Sequence, residues 1–299
     1  MAGRWRRFPS GLRRIAGTFL LLSLATGTVA EIRLTDDLGN VLELDAPAAR
    51  IVSLAPNVTE TLFAIGAGHL IVGADEYSNY PPAAQAIPRV NNHAAANYEL
   101  ILALKPDLVI AWQSGNSGQV IPRLRHLGLP VFVVEPRTLE DIAGVARRFG
   151  TLTGHGAEGE RQAVEFEAEL ARLRGEFSAK EPVKVFYQIW NEPLITLNGS
   201  HVVSDVIRLC GGVNVFADAA PLVPYVNIEA VISADPQVII ASGSNDESPA
   251  WLAMWQRWPA ISAVKNGHVY SVPPDLIQRH SLRIAEGAAQ VCSHLDRAR

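Results

Sequence analysis

Aromatic residues follow apolar runs at several points in this sequence, either directly or in the loop behind them. Tyr77 and Tyr80 follow LIVG (70–73), Trp112 follows LVIA (108–111) and Trp190 follows KVFYQI (184–189). Each apolar run reads as a strand. The rings therefore fall at strand ends, where open α/β sheets hold their ligands. Rings in such places grip a flat, largely apolar molecule. They do not by themselves make or break bonds.

The usual signs of bond chemistry are missing. There is no G-x-S-x-G, no H-E-x-x-H and no phosphate loop, since Gly-Lys never occurs. Gly66 and Gly68 lack the third glycine of a dinucleotide site, because position 71 is Ile. The eight histidines are scattered without metal-site spacing. The expectation is a binding protein, not an enzyme, with no cofactor of its own. A net charge of −4, from 26 basic and 30 acidic residues, argues against a nucleic-acid partner.

The first residues point to export. Arg4, Arg6, Arg7, Arg13 and Arg14 precede IAGTFLLLSLATG (15–27) and the small-residue site Thr28-Val29-Ala30. That is the layout of a signal peptide, and a membrane-spanning helix needs about 20 apolar residues. Residues 1–30 are read as a signal peptide cleaved after Ala30, which delivers the protein to a periplasm. In that oxidising compartment Cys210 and Cys292, the only cysteines, are most simply a disulfide, with two buried thiols as the other reading.

The elements that position these residues follow from local pattern. Residues 31–47 alternate and read as a hairpin turning at DLGN. RIVSLAP (50–56) is a buried strand, followed by a helix from Thr59 that glycines 66 and 68 close. A second strand covers 70–73, and EYSNYPPAA (76–84) reads as a loop because of its prolines. Then NYELILALKPDLVIA (97–111) returns 130 residues later as NIEAVISADPQVIIA (227–241). In each copy Asn caps a short helix, Glu sits in its first turn, Pro ends it, and an apolar strand follows. RIVSLAP and KVFYQIW match as strands, and TETLFAIGAG (59–68) matches VSDVIRLCGG (203–212) as a helix ending in glycines. The chain thus carries two similar α/β lobes, 48–153 and 181–299. Between them AEGERQAVEFEAELARLRGEFSAK (157–180) is amphipathic, with apolar residues at 164, 166, 170, 173 and 177. A helix of about 22 residues spans about 33 Å, so 154–180 is expected to be a single long rigid bridge between parallel-rich sheets.

RIVSLAPNVTETLFAIGAG (50–68), EYSNYPPAA, LKPDLVIAW (104–112) and RLCGG (208–212) resemble the periplasmic binding proteins for cobalamin and ferric siderophores, which serve type II ABC importers. YSNYPP (77–82) and DLVIAWQSGN (107–116) are most similar to the cobalamin-binding members. The resemblance runs from about residue 48 to the end. It implies a monomer that carries a cobalamin-type corrinoid in the inter-lobe cleft, with haem or a ferric siderophore as alternative cargo. It implies that Tyr77 contacts the corrin, that Trp112 lies in the pocket, and that Asp275, Leu276, Ile277, Gln278 and Arg279 form a ligand-contacting stretch. Trp190 joins them by its place at a strand end. Cys210 and Cys292 match the positions of a family disulfide. Glu99 and Glu229 match carboxylates that dock into arginine-lined sockets on an inner-membrane permease dimer with its ATPase subunits. The pattern departs at His93 and Val223, where cobalamin-binding members carry tryptophan. His93 is accordingly a candidate axial ligand for the metal centre of the cargo.

Overall fold

The computed structural model describes residues 1–5, 31–92, 95–242 and 250–299. His93 and residues 6–30 of the expected signal peptide lie outside the described residues. Among the described residues no helix is long and apolar enough to cross a membrane.

The chain opens with the hairpin β1 (Ile32–Thr35) and β2 (Val41–Leu44), paired antiparallel. The first lobe then runs β3 (Ile51–Ser53), α1 (Pro56–Ala64), β4 (Ile71–Asp75), β5 (Arg89–Asn91), α2 (Tyr98–Ala103), β6 (Leu108–Trp112), α3 (Val120–His126) and β7 (Val131–Val134). Its five strands lie in the order β5-β4-β3-β6-β7, with every pairing parallel. β3 and β7 are buried throughout, and β6 is buried except for Trp112. Continuous apolar strands form because helices cover both faces of a parallel sheet.

Two helices follow, α4 (Leu139–Thr153) and α5 (Gly156–Phe177). Thr138 and Asp141 form a capping box that starts α4. The buried stripe of α5 is Ala163, Phe166, Leu170, Leu173 and Phe177. Val164, expected in that stripe, is 50% exposed, since the 3-4-3-4 spacing that tracks one helical face passes through 163. The two helices approach closely. A Cβ on Gly159 would lie 2.7 Å from the Ala146 carbonyl oxygen, so glycine there is what permits the contact.

The second lobe comprises β8 (Val183–Gln188), β9 (Trp190–Asn191), β10 (Leu194–Ile195), α6 (Val202–Leu209), β11 (Gly212–Asn214), α7 (Ile228–Ala234), β12 (Val238–Ala241), α8 (Ser262–Lys265), β13 (Val269–Ser271), α9 (Pro274–Ile277) and α10 (Ile284–Asp296). Its main sheet is β11-β8-β12-β13, again all parallel. β9 and β10 form a separate two-residue ribbon, to which Tyr225 adds a bridge at Ile195. A disulfide joins Cys210, just after α6, to Cys292 in α10.

The repeated stretch folds twice in the same way. Asn97 caps α2 by accepting from the Leu100 N–H at 3.0 Å, and Asn227 caps α7 by accepting from the Ala230 N–H at 2.8 Å. Each helix ends on a left-handed residue, Lys105 with φ 48° and Asp235 with φ 43°. Asp107 then accepts from the Arg50 N–H at 2.9 Å, and Gln237 from the Lys184 N–H at 2.8 Å.

Two local expectations are corrected. α1 begins at Pro56 rather than Thr59, because proline suits the first helical position, where its missing N–H has no intrahelical partner to lose. For the same reason the second proline of EYSNYPPAA opens a 3-10 turn, Pro82–Ala86, where a plain loop was expected. The lobes are not joined through the helices alone. One apolar cluster runs from β3, β6 and β7 through α4 and α5 to β8, β12 and α10.

Candidate functional site

In the first sheet the strand order reverses between β3 and β6. Crevices open beyond the carboxyl ends of such strands, and here the wall is built by side-chain amides. The Asn116 Nδ2 donates to the Leu54 carbonyl at 2.8 Å, and its Oδ1 accepts from the Trp112 N–H at 2.9 Å. Asn91 donates to the same carbonyl at 3.1 Å. These bonds fix Trp112 at the mouth of β6.

Trp112 lines a cavity of about 530 Å³ between the lobes. The first lobe contributes Trp112, Ser114, Glu135, Pro136 and Arg137. The facing wall is made by Asn198, Ser200, His201 and Val202, by Ala220, Leu222 and Val223, and by His280. Lobe contacts flank it: the Leu139 N–H donates to Asp205 at 3.0 Å, and the His280 Nδ1 lies 3.0 Å from the Pro136 carbonyl. The imidazoles of His201 and His280 meet edge to face at 5.4 Å, and the Trp112 ring is 4.9 Å from His280. Burial pushes both imidazoles down, His280 to about 4 and His201 to about 3, the latter aided by the neighbouring His280 charge. Both are neutral at physiological pH.

A second group sits beside this cavity. Tyr77 is held by Asp75, whose carboxylate accepts from the Tyr77 N–H at 2.9 Å and from Asn91 at 2.8 Å. Desolvation raises the pKa of Asp75 in spite of those bonds. Arg279 reaches across from the second lobe. It bonds Glu60 at 2.7 Å, Asn79 at 2.7 Å, the Tyr77 carbonyl at 3.2 Å and Asp275 at 2.8 Å. Tyr77, Asp275 and Arg279 are therefore brought together, but the guanidinium is engaged by protein groups. Leu276 and Ile277 point into the core, which leaves only their backbone to a ligand. Gln278 is half-buried at the end of α9. Trp190 is 46% exposed on the β9 ribbon, with its Nε1 donating to the Glu192 carbonyl, and it does not line the cavity. Glu99 and Glu229 are exposed in the first turns of α2 and α7. Among the described residues no cluster of His, Cys, Asp or Glu is arranged to hold a metal ion.

Sequence reasoning passed over His201, His280, Asn198 and Ser200. A signal for the first existed, since NGSH (198–201) is a polar turn just before a helix, and His201 caps α6 by accepting from the Val203 N–H. His280 directly follows the DLIQR stretch, and only the fold turns it into the cleft.

Comparison with known proteins agrees with this architecture. The family model described as periplasmic binding protein matches residues 51–276. The vitamin B12-binding protein of Vibrio cholerae is 40% identical over 250 residues, covering 83% of this chain and 90% of the relative. That of Vibrio parahaemolyticus is 36% identical over 253 residues, covering 84% and 90%. The crystal structure of the periplasmic vitamin B12 binding protein BtuF of Vibrio cholerae superimposes with a TM-score of 0.78 at 39% identity, covering 84% of this chain and 98% of that one.

Proposed function

The chain belongs to the periplasmic binding protein family, and from that premise we propose that it captures a cobalamin-type corrinoid between its lobes and hands it to an inner-membrane ABC importer. The observation that carries this reading is the cavity shared by both lobes, with the Trp112 ring on one wall and Leu222 and Val223 on the other. Such a cleft suits a broad, flat, mostly apolar ligand held by a few polar groups. The relatives named for vitamin B12 support the choice of ligand.

In this reading the chain is cleaved after Ala30 and works in the periplasm as a monomer without catalytic activity. Residues 154–180 act as the strut between lobes 48–153 and 181–299, so binding needs little closure. Trp112 supplies an aromatic wall, while Tyr77, Asp275 and Gln278 contact the rim of the ligand. Arg279 shapes that rim through its bonds to Tyr77 and Asn79. Glu99 and Glu229, one on each lobe, dock into two equivalent sockets of a permease dimer coupled to ATPase subunits. Charge pairs of that kind raise the association rate and fix register.

The test is calorimetric titration of the chain lacking residues 1–30 with cyanocobalamin, with haem absorbance followed in parallel. One-to-one binding of cyanocobalamin is expected. Binding of haem without binding of cobalamin would move the protein to haem uptake.

A further inference from the structure

Two side chains with complementary nitrogens meet at the cleft, the Trp112 and His280 rings lying 4.9 Å apart. The His280 Nδ1 lies 3.0 Å from the Pro136 carbonyl oxygen. A carbonyl only accepts, so Nδ1 carries the proton and Nε2 is a bare acceptor. The side chain is almost wholly buried, and its Nε2 has no hydrogen-bond partner among the described residues. The neighbouring Trp112 Nε1 can only donate, and it too has no partner there. Both residues line the cavity. Buried polar atoms left unpaired are uncommon and costly, and two of opposite character on rings 4.9 Å apart form a matched set.

We propose that the Trp112 Nε1 and the His280 Nε2 together read one primary carboxamide of the bound ligand. The amide oxygen accepts from Trp112, and the amide N–H donates to His280. This inference rests on the corrinoid reading above and deepens it. Corrinoids carry primary carboxamides around the macrocycle, whereas haem carries carboxylates. A carboxylate satisfies Trp112 but sets a negative oxygen against the His280 lone pair. Glu135 and Arg137 line the same cavity with opposite charges, so the cleft as a whole favours neither sign. Both nitrogens are closed to water in the structure, so reading the amide requires the half-buried Trp112 ring to turn aside. The pair therefore selects corrinoid over porphyrin, and it distinguishes one amide of the corrinoid from its acid.

The experiment is calorimetry of the full mature chain with cyanocobalamin and with the corrinoid monocarboxylates in which single amides have been hydrolysed. The wild-type protein should bind one monocarboxylate at least about tenfold more weakly than cyanocobalamin, and the others nearly as well. His280→Phe keeps the ring volume and removes the acceptor. It should weaken cyanocobalamin about tenfold and bring that one acid to within about twofold of the amide. His280→Gln, whose side-chain oxygen can accept again, should recover part of the loss. Trp112→Phe should lose a similar factor and reduce the ligand-induced fluorescence change. Thermal melts of the unliganded variants report folding, and the Gln and Trp112 variants decide the matter should the Phe variant not fold.

The proposal is overturned if His280→Phe keeps the wild-type ratio of amide to acid. It is also overturned if the cobalt absorption bands shift in the wild type and not in His280→Phe, since the imidazole would then bind the metal instead. A wild-type chain that binds no corrinoid overturns the functional reading itself and removes the basis for the pair.

Discussion

The Glu60 carboxylate accepts from the Arg279 guanidinium at 2.7 Å, although the two residues are 219 apart in sequence. Glu60 sits on α1 of the first lobe, and Arg279 follows α9 of the second. The same carboxylate takes bonds from Ser281 at 2.6 Å and Arg283 at 3.2 Å. Arg283 in turn lies 3.7 Å over the Tyr80 ring. Only 2% of the Glu60 side chain is exposed. One buried anion thus ties the two lobes together beside the cleft.

Removing that charge leaves two shielded guanidinium groups with weaker compensation, Asp275 at 2.8 Å from Arg279 and Glu286 at 4.0 Å from Arg283. Glu60→Gln should lower the unfolding free energy by roughly 3 kcal/mol, by the usual cost of breaking a buried pair from one side. Deleting Glu43 of the exposed Arg33 pair is the control and should cost under about 1 kcal/mol. Urea denaturation of both variants measures the difference. Equal, small losses would mean that the network adds nothing beyond surface pairing.

The Cys210–Cys292 disulfide closes a separation of 82 residues. Changing both cysteines to serine should cost roughly 2–4 kcal/mol, mainly by freeing the unfolded chain. Neither sulfur lines the cavity, so ligand affinity should hold. A lower melting temperature with unchanged affinity is the expected pair of results, and reduction that leaves the melting temperature unchanged would contradict it.

Glu99 and Glu229 lie exposed on separate lobes and outside the cavity lining. Reversing both charges should abolish uptake in a transport assay while calorimetric affinity for the ligand stays the same. Weaker ligand binding in the double variant would assign these residues to the cleft instead of to docking.

His201 is half-buried and His280 buried, and desolvation depresses their pKa values to about 3 and about 4. An unfolded histidine titrates near 6.5. Below that pH the unfolded chain binds protons that the folded chain refuses. Stability is therefore complete above about pH 6.5 and falls as the pH drops toward 4. His280→Phe should flatten this part of the melting-temperature profile, as read by calorimetric scans from pH 7 to 4. A slope identical to that of the wild type would mean that His280 does not carry it.

Some features were legible because they are local. The Asn cap, the first-turn Glu and the proline stop of each repeated stretch need only neighbours within a few residues, and both copies fold as read. The wider pattern of apolar strands was equally plain, because a strand covered on both faces has no polar alternation to hide it. The stripe on α5 was read one residue off at Val164, where an apolar residue faces solvent. Pro56 and Pro82 were read as breaks although each suits the start of a helical turn.

By itself, then, the sequence determined two α/β lobes with parallel sheets, a helical link, and rings placed at strand ends. These follow from periodicity and capping, which act over a single turn or strand. Only the tertiary structure decided what fills the space between the lobes. It turned Leu276 and Ile277 into the core, spent Arg279 on Glu60, left Trp190 off the cavity, and set His280 against Pro136 and Trp112. Those contacts join residues far apart in the chain. Their partners are fixed by how two sheets dock through one shared core, which no local pattern records.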